Sequence, residues 1–438
     1  MTSPLRVLAD LPRLLRHPRA SRQQIVAFQE RRLRQLVRHA YDNVPYYRRL
    51  FDKVGLKPGD IRGLADLERI PITTKATLQS LGRSEMITSG IEPSQLIARQ
   101  TNGSTGVPLT VWRQRMEQLV PVLFLWRVRR ELGLRRSLRV TFLTKFGPSH
   151  RSFGRRTRNR LQTLAGLETW KRVSCTAPID DVAREVKKNN PDVLGGYASA
   201  LNRLAGHLGD DQTRIRPRLI ISVAEQLSPT MRTRIEKVFD APVRDTYAGY
   251  ELGMIAWECP DGGTYHVCDD NVIVEVLKED GGSPALEPGE SGQLIGTSLH
   301  FAAMPMIRYQ LGDIVTRGPG RCACGAPFTT LTAIQGRMND YFPLPDGRVL
   351  HPYLIGTAVW KPSLEWMHQY QVTQERRDRV VMRIVPVRHP NAGDIAELER
   401  AIGDVLGPRV EIAVELVDHI PEEPNGKFRI YRSLVESE

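Results

Sequence analysis

Asp192-Val193-Leu194-Gly195-Gly196 and Arg218-Leu219-Ile220-Ile221-Ser222 are two short apolar runs in a stretch, residues 178–247, that otherwise carries helical periodicity. Residues 179–189, 198–207 and 228–239 read as helices, and Val243-Arg244-Asp245-Thr246-Tyr247 reads as a third strand. Strands alternating with helices of this length predict a parallel sheet covered by helices.

Outward from this stretch the texture changes. Near residue 265 short alternating strands begin, Asn271-Val272-Ile273-Val274-Glu275-Val276 and Gly292-Gln293-Leu294-Ile295-Gly296-Thr297, separated by Pro and Gly. They predict a small antiparallel β unit. After about residue 340 the order becomes strand (366–373), strand (379–385), helix (393–406), strand (409–417) and a polar loop, a compact α+β unit of domain size. The expected fold class is therefore α/β: a large N-terminal domain, 1–339, with parallel α/β layers and a small β unit, and a small α+β C-terminal domain, 340–438. Toward the N-terminus, residues 22–38 read as an amphipathic helix with Ile25, Phe28, Leu33 and Leu36 on one face and Arg on the other, so residues 1–40 form a basic helical extension.

Of the 438 residues, 41% are hydrophobic, enough for sizeable cores and against wholesale disorder. The apolar run 119–126 is too short to span a bilayer. No apolar segment with a small-residue cleavage site follows Arg6, so no secretory signal is expected. Five cysteines make no disulfide framework, and the expected location is a reducing cytoplasm.

The net charge of +13 is concentrated in two patches. Residues 1–38 hold nine Arg against Asp10 and Glu30, and residues 113–160 hold thirteen Arg and Lys145 against Glu117 and Glu131. Such patches favour polyanions: nucleic acid, an anionic membrane or a phosphate-rich cofactor. No interleaved aromatic pattern of RNA-binding type accompanies them, so nucleic acid is not expected. Contact between the basic N-terminus and a membrane stays open, beside a helix simply packed on the main domain. An Arg-rich surface reflecting genome composition is an equal reading.

Several segments carry chemistry. In Thr101-Asn102-Gly103-Ser104-Thr105-Gly106-Val107-Pro108, Gly103 and Gly106 free the backbone to point several N–H groups at one anion, and Thr101, Ser104 and Thr105 add hydroxyl donors. No Lys-Ser/Thr pair follows Gly106, so this is not a Walker loop, and a polar surface loop would read alike. Asp245-Thr246-Tyr247-Ala248-Gly249-Tyr250-Glu251 follows a predicted strand, where ligands of open α/β sheets bind. Tyr247 there can stack on a purine and Glu251 can hold Mg2+. In Arg308-Tyr309-Gln310-Leu311-Gly312-Asp313 a carboxylate after a Gly turn can accept both hydroxyls of a ribose. In Ile334-Gln335-Gly336-Arg337 an arginine after Gly can reach a phosphate. Pro424-Asn425-Gly426-Lys427-Phe428-Arg429 sets a lysine on a polar loop, where lysine is scarce. His150 reads as a surface residue.

Cysteine forms a separate constellation. Cys259, His266, Cys322 and Cys324 offer the four ligands of a closed tetrahedral zinc site. Cys268 is an alternative ligand, two positions from His266 on the same strand face, and a Cys-x-Cys pair can also be two unbonded thiols. Cys175 reads as a core residue.

Taken in order, the five segments between 101 and 429 resemble the adenylate-forming superfamily, and most nearly the phenylacetate–CoA ligase family in its CapK-like capsular polysaccharide branch. Asn43-Val44-Pro45-Tyr46-Tyr47-Arg48, Ile70-Pro71-Ile72 with Thr74-Lys75, and Ile307-Arg308-Tyr309 share the resemblance, which covers about 37–432. It implies that ATP, with Mg2+, activates a small carboxylic acid, aryl or aliphatic, as an acyl-adenylate, with CoA or another nucleophile as acceptor. It further implies that loop 101–106 holds the β- and γ-phosphates, that Ala224 and Glu225 lie against the adenine, and that Tyr247 packs on the base. By the same resemblance Glu251 helps hold Mg2+, Asp313 binds the ribose with Arg337 beside it, and Lys427 bridges the carboxylate and the α-phosphate. The C-terminal domain would turn about Asn339 or Asp340. Two other readings stand beside this one: a CapK-like amide- or ester-forming ligase or adenylyltransferase that does not use CoA, and a non-catalytic polyanion-binding protein.

Overall fold

The computed structural model describes residues 12–101, 109–134, 139–144, 169–209, 215–261, 263–278, 283–337, 342–350, 355, 358–359, 366–421 and 429–435. The chain packs into two compact units, Met1–Arg135 with Thr246–Ile334, and Arg136–Asp245 with Gln335–Glu438.

The first unit begins with α1 (Arg22–Asn43) and α2 (Pro45–Lys53). Ser21 starts α1 with a capping box: its hydroxyl accepts the Gln24 N–H at 3.2 Å, and the Gln24 side chain accepts the Ser21 N–H at 2.9 Å. The helix ends where Pro45 forces Val44 into an extended conformation, and Pro45 then opens α2. Ile25, Phe28, Leu33 and Leu36 are all buried in the core of this unit. Each contributes about 1.5–3 kcal/mol relative to exposure. Strands β1 (Leu96–Gln100) and β2 (Thr110–Gln114) pair antiparallel, Leu96 opposite Gln114 and Gln100 opposite Thr110, and so bracket loop 101–109. Helix α3 (Leu119–Glu131) follows.

The second unit holds β3 (Arg139–Thr144), β4 (Thr169–Ser174), α4 (Ile179–Asn189), β5 (Val193–Tyr197), α5 (Ala198–Leu208), β6 (Leu219–Val223), α6 (Pro229–Phe239) and the start of β7 (Val243–Gly249). Strands β4, β3, β5 and β6 run parallel in that spatial order; β5 and β6 belong to the α/β layer expected from the alternation, and β3 and β4, which the sequence reading missed, extend it. Leu194, Ile220, Leu201 and Ile235 belong to its buried core. Gly195 and Gly196 let β5 lie close to β3: a Cβ on Gly195 would fall 2.2 Å from the Phe142 ring, and one on Gly196 2.8 Å from the Leu143 Cβ.

Strand β7 passes from one unit into the other, its last residues, Thr246–Gly249, belonging to the first. There it pairs antiparallel with β8 (Gly253–Glu258), and β8 with β9 (Tyr265–Val267). The set continues with β10 (Val272–Leu277), β11 (Ser291–Ser298), β12 (Tyr309–Arg317) and β13 (Thr330–Arg337), the last pairing with β9. The antiparallel region thus starts at β8, earlier than the change of texture near 265 suggested. Strand β8 is buried along almost its whole length, so its sequence is a continuous apolar run with no alternation to betray it.

The rest of the second unit holds a hairpin, β14 (Phe342–Pro343) with β15 (Val349–Leu350), then β16 (Met367–Arg376), β17 (Arg379–Pro386), α7 (Ala392–Leu406), β18 (Glu411–Leu416) and β19 (Tyr431–Ser433). The sheet order is β18-β17-β16-β19, an antiparallel central pair with parallel outer strands. Val372, Val380, Met382, Leu398 and Ile402 form a core of their own. The three-residue β19 was not foreseen because so short a run carries no readable period. No described helix is long and apolar enough to cross a membrane.

Candidate functional site

Antiparallel pairing in the first unit brings two of the sequence-predicted residues into contact. Tyr247, half-buried on β7, donates its phenolic hydrogen to the carboxylate of Asp313 on β12. A register shift between Tyr247 and Ala248 lies beside the contact, and Gly312, at φ +85, turns the chain just before Asp313.

The turn between β7 and β8 carries Tyr250 and Glu251, closed by the pairing of Gly249 with Gly253. The Glu251 carboxylate folds over Gly249, where a Cβ would sit 3.1 Å from its Oε2. Tyr250 is exposed. The carbonyls of both turn residues accept hydrogen bonds from Arg113, a buried residue that the sequence reading missed. A lone arginine in an Arg-rich chain gives no signal of its own.

In the second unit, Ala224 adopts a left-handed conformation (φ +64) directly after β6, a state that costs a non-glycine residue about 1–2 kcal/mol. Glu225 next to it accepts the Ser199 N–H at 2.8 Å in the first turn of α5, where the helix dipole favours a carboxylate. Asp245 is buried on β7.

At the mouth of the predicted phosphate loop, Thr101 is fixed from both directions. Its N–H donates to the Leu109 carbonyl at 2.9 Å and its hydroxyl oxygen accepts the Leu109 N–H at 3.0 Å. Gly103, Ser104, Thr105 and Gly106, together with Lys427, His150, Asn339 and Asp340, lie outside the described residues. Arg337 is the last residue of β13.

Arg308, prominent in the same motif as Asp313, is a brace within the first unit. It is buried at φ +45, forks onto Glu275 through Nε (3.0 Å) and Nη2 (2.8 Å), and donates to the carbonyls of Glu68 and Ile70. Burial raises the Glu275 carboxyl above its ordinary range, opposed by the Arg308 charge.

Cys259, His266, Cys322 and Cys324 converge, their ligand atoms all within 4.8 Å of one another. Cys259 directly follows β8, His266 lies on β9, and Cys322 and Cys324 sit in a turn closed by Gly325 N–H donating to Cys322 O at 3.0 Å. The Cys259 and Cys322 sulfurs are 3.6 Å apart, and the Cys324 sulfur lies 3.2 Å from His266 Nε2. A tetrahedral ion with bonds of ~2.3 Å to sulfur sets sulfur pairs ~3.8 Å apart. Burial pushes the Cys259 thiol up to about 12 and the His266 imidazolium down to about 4. Cys268 is not part of this group. It is wholly buried near Arg127, and burial raises its thiol. Cys175 is likewise buried.

These arrangements have close relatives. A family model described as the CapK C-terminal domain matches residues 344–433. Phenylacetate-coenzyme A ligase of Escherichia coli (strain K12) is 27% identical over 436 residues, covering 94% of this chain and 95% of the relative. Phenylacetate-coenzyme A ligase of Thermus thermophilus is 27% identical over 365 residues, covering 81% and 79%. Among solved structures, a 2-hydroxyisobutyryl-CoA ligase in the postadenylation state, in complex with R3-HIB-AMP, superposes with a TM-score of 0.78 at 20% identity, covering 96% of this chain and 91% of that one. The fold is that of the adenylate-forming ligases. Within that class the chain is similar over most of its length to phenylacetate-coenzyme A ligases, and its residues 344–433 to the CapK C-terminal domain.

Proposed function

We propose that the protein is an AMP-forming acid ligase. A carboxylate oxygen of the substrate acid attacks the α-phosphorus of ATP, a P–O bond forms, and pyrophosphate leaves. The thiol of CoA then attacks the acyl carbonyl, and AMP leaves. The main support is the contact between Tyr247 and Asp313, which sets a ring suited to a base beside a carboxylate suited to a ribose, next to the Glu251 turn. Homology to phenylacetate–CoA ligases over nearly the whole chain points the same way.

In this reading Asp313 holds the ribose hydroxyls, Tyr247 packs on the adenine, Ala224 and Glu225 contact the adenine, and Asp245 is a further nucleotide-binding residue. Loop 101–106 (Thr101, Gly103, Ser104, Thr105, Gly106) holds the β- and γ-phosphates. Glu251 would hold the Mg2+ that screens phosphate charge. Two anions must meet at the α-phosphate, and Arg337 and Lys427 offset their repulsion while positioning lowers the remaining barrier. Residues 340–438 act as a small mobile domain hinged at Asn339 or Asp340, and this domain delivers Lys427. The test is pyrophosphate release from ATP across aryl and small aliphatic acids, with and without CoA. Acid-dependent release is expected. Its absence with every acid refutes the reading.

A second reading is favoured by the match of residues 344–433 to the CapK C-terminal domain. Here the acceptor is an amine or a sugar in polysaccharide biosynthesis, and CoA is not used. Acid-dependent pyrophosphate release that CoA does not accelerate supports it.

Cys259, His266, Cys322 and Cys324 hold a structural zinc ion in this reading, since three thiols and an imidazole converge at tetrahedral spacing and leave no open position for water. The protein works in the cytoplasm. Contact of the basic N-terminus with an anionic membrane would not use Ile25, Phe28, Leu33 or Leu36, which are committed to the core.

A further inference from the structure

Arg113 is a buried cation whose hydrogen bonds, among the described residues, run to main-chain carbonyls. It is 4% exposed. Its Nη2 donates to the carbonyls of Tyr250 and Glu251, each at 2.7 Å, and Nη1 reaches the Met304 carbonyl at 3.4 Å. The guanidinium carbon lies 3.4 Å from the centroid of the Phe301 ring, so one face is covered by a π-system. Burial pulls Arg113 down to about 10, while the charges of Glu117 and Glu251 oppose that shift.

A buried charge is retained at a cost, and here the fork holds a turn. Tyr250 and Glu251 lie between Gly249 and Gly253, the last pair of the β7–β8 ladder, and both of their carbonyls accept from Arg113 Nη2. One guanidinium nitrogen satisfies both, as a compact ammonium does less well. The same arginine lies on β2, opposite Ile97 of β1, in the strand that leaves the phosphate loop. Glu117, four residues on, accepts the N–H groups of Ala302 (2.6 Å) and Ala303 (3.0 Å), next to Phe301 and Met304. The strand after the phosphate loop, the Glu251 turn and segment 301–304 are thus tied together around one side chain.

We infer that Arg113 is a positioning residue for MgATP: it fixes the backbone of the Tyr250–Glu251 turn so that the Glu251 carboxylate is presented to the metal. This rests on the reading of Glu251 as a contact of MgATP, and the experiment separates the two.

Binding of MgATP, by calorimetry in the absence of acid, and pyrophosphate release, as a function of Mg2+, ATP and acid concentration, are both measured for the parent, Arg113→Lys, Arg113→Met, Glu251→Gln and Arg113→Lys with Glu251→Gln, each checked by thermal melting. Arg113→Lys is expected to raise the half-saturating Mg2+ concentration about tenfold, the scale of one lost charge-assisted hydrogen bond, with the KM for acid unchanged. Arg113→Met should raise it further. The double variant should be no worse than Glu251→Gln alone. If the Arg113 variants do not fold, Phe301→Leu, which removes only the covering ring, should raise the same Mg2+ requirement severalfold. Unchanged Mg2+ dependence in folded Arg113→Lys, or full additivity with Glu251→Gln, overturns the inference. If only Phe301→Leu can be read, an unaltered requirement overturns it equally. If Glu251→Gln itself leaves the Mg2+ dependence unmoved, the assignment of Glu251 fails first and the inference with it.

Discussion

Tyr247 on β7 donates its phenolic hydrogen to the carboxylate of Asp313 on β12, joining two residues 66 positions apart in the sequence. The residue expected to pack on the base therefore orients the residue expected to bind the ribose. A carboxylate held by one donor loses less rotational freedom when a second arrives.

Asp313→Ala should raise the KM for ATP strongly while melting within a few degrees of the parent, because the carboxylate is half-buried on a strand whose ladder stays intact. Tyr247→Phe should raise it less, and the two changes together should cost less than their separate effects combined. Steady-state kinetics with ATP varied at saturating acid checks this, and full additivity would show that the contact has no bearing on nucleotide binding.

Lys427→Ala should fold like the parent, since substitutions on a polar loop change stability by less than about 0.5 kcal/mol. It should lose acid-dependent pyrophosphate release by on the order of a hundredfold or more, the usual effect of removing one preorganised charge. Full activity in this variant would remove Lys427 from the mechanism.

Purified protein should carry about one zinc per chain, measured by elemental analysis without chelator in the preparation. Cys322→Ser should lower the melting temperature more than it lowers activity per folded molecule, because Cys322 sits in a turn that the ion would clip to β8 and β9. Protein that is stable and metal-free excludes the site.

Stability should fall with acid between about pH 6.5 and 4, in part through His368. Burial and the Arg234 charge hold its imidazolium down to about 4 in the folded chain, where Arg234 bonds its Nδ1. Over that window the unfolded chain binds a proton there that the folded chain does not, so stability is present above pH 6.5 and declines toward pH 4. His368→Asn should flatten this part of a urea-midpoint profile against pH. A profile as steep as the parent's would assign the acid sensitivity to other groups.

The parallel α/β layer was legible because its period is local. Leu194 and Ile220 lie in strands bounded by helices whose apolar spacing shows in a dozen residues, and the strands fell within a residue or two of the reading. The strand–strand–helix–strand order of residues 366–417 was legible for the same reason. Strand β8 was not, because full burial erases alternation, and β19 was too short to carry any.

For the candidate site, the sequence by itself supplied residue types and order: Tyr247, Glu251 and Asp313 stand out only within an ordered set of segments that resembles a known family, and the Cys/His group through its ligand types and spacing. What it could not supply was partnership. That Tyr247 bonds Asp313, that Arg308 serves Glu275 rather than a ligand, and that Arg113 holds the Glu251 turn are decided by antiparallel pairing and by burial. A chain of this composition offers many arginines, and nothing local distinguishes them. Only the fold makes Arg113 and Arg308, with a few others, buried cations whose hydrogen bonds must be met, and that requirement selects their partners from distant parts of the sequence.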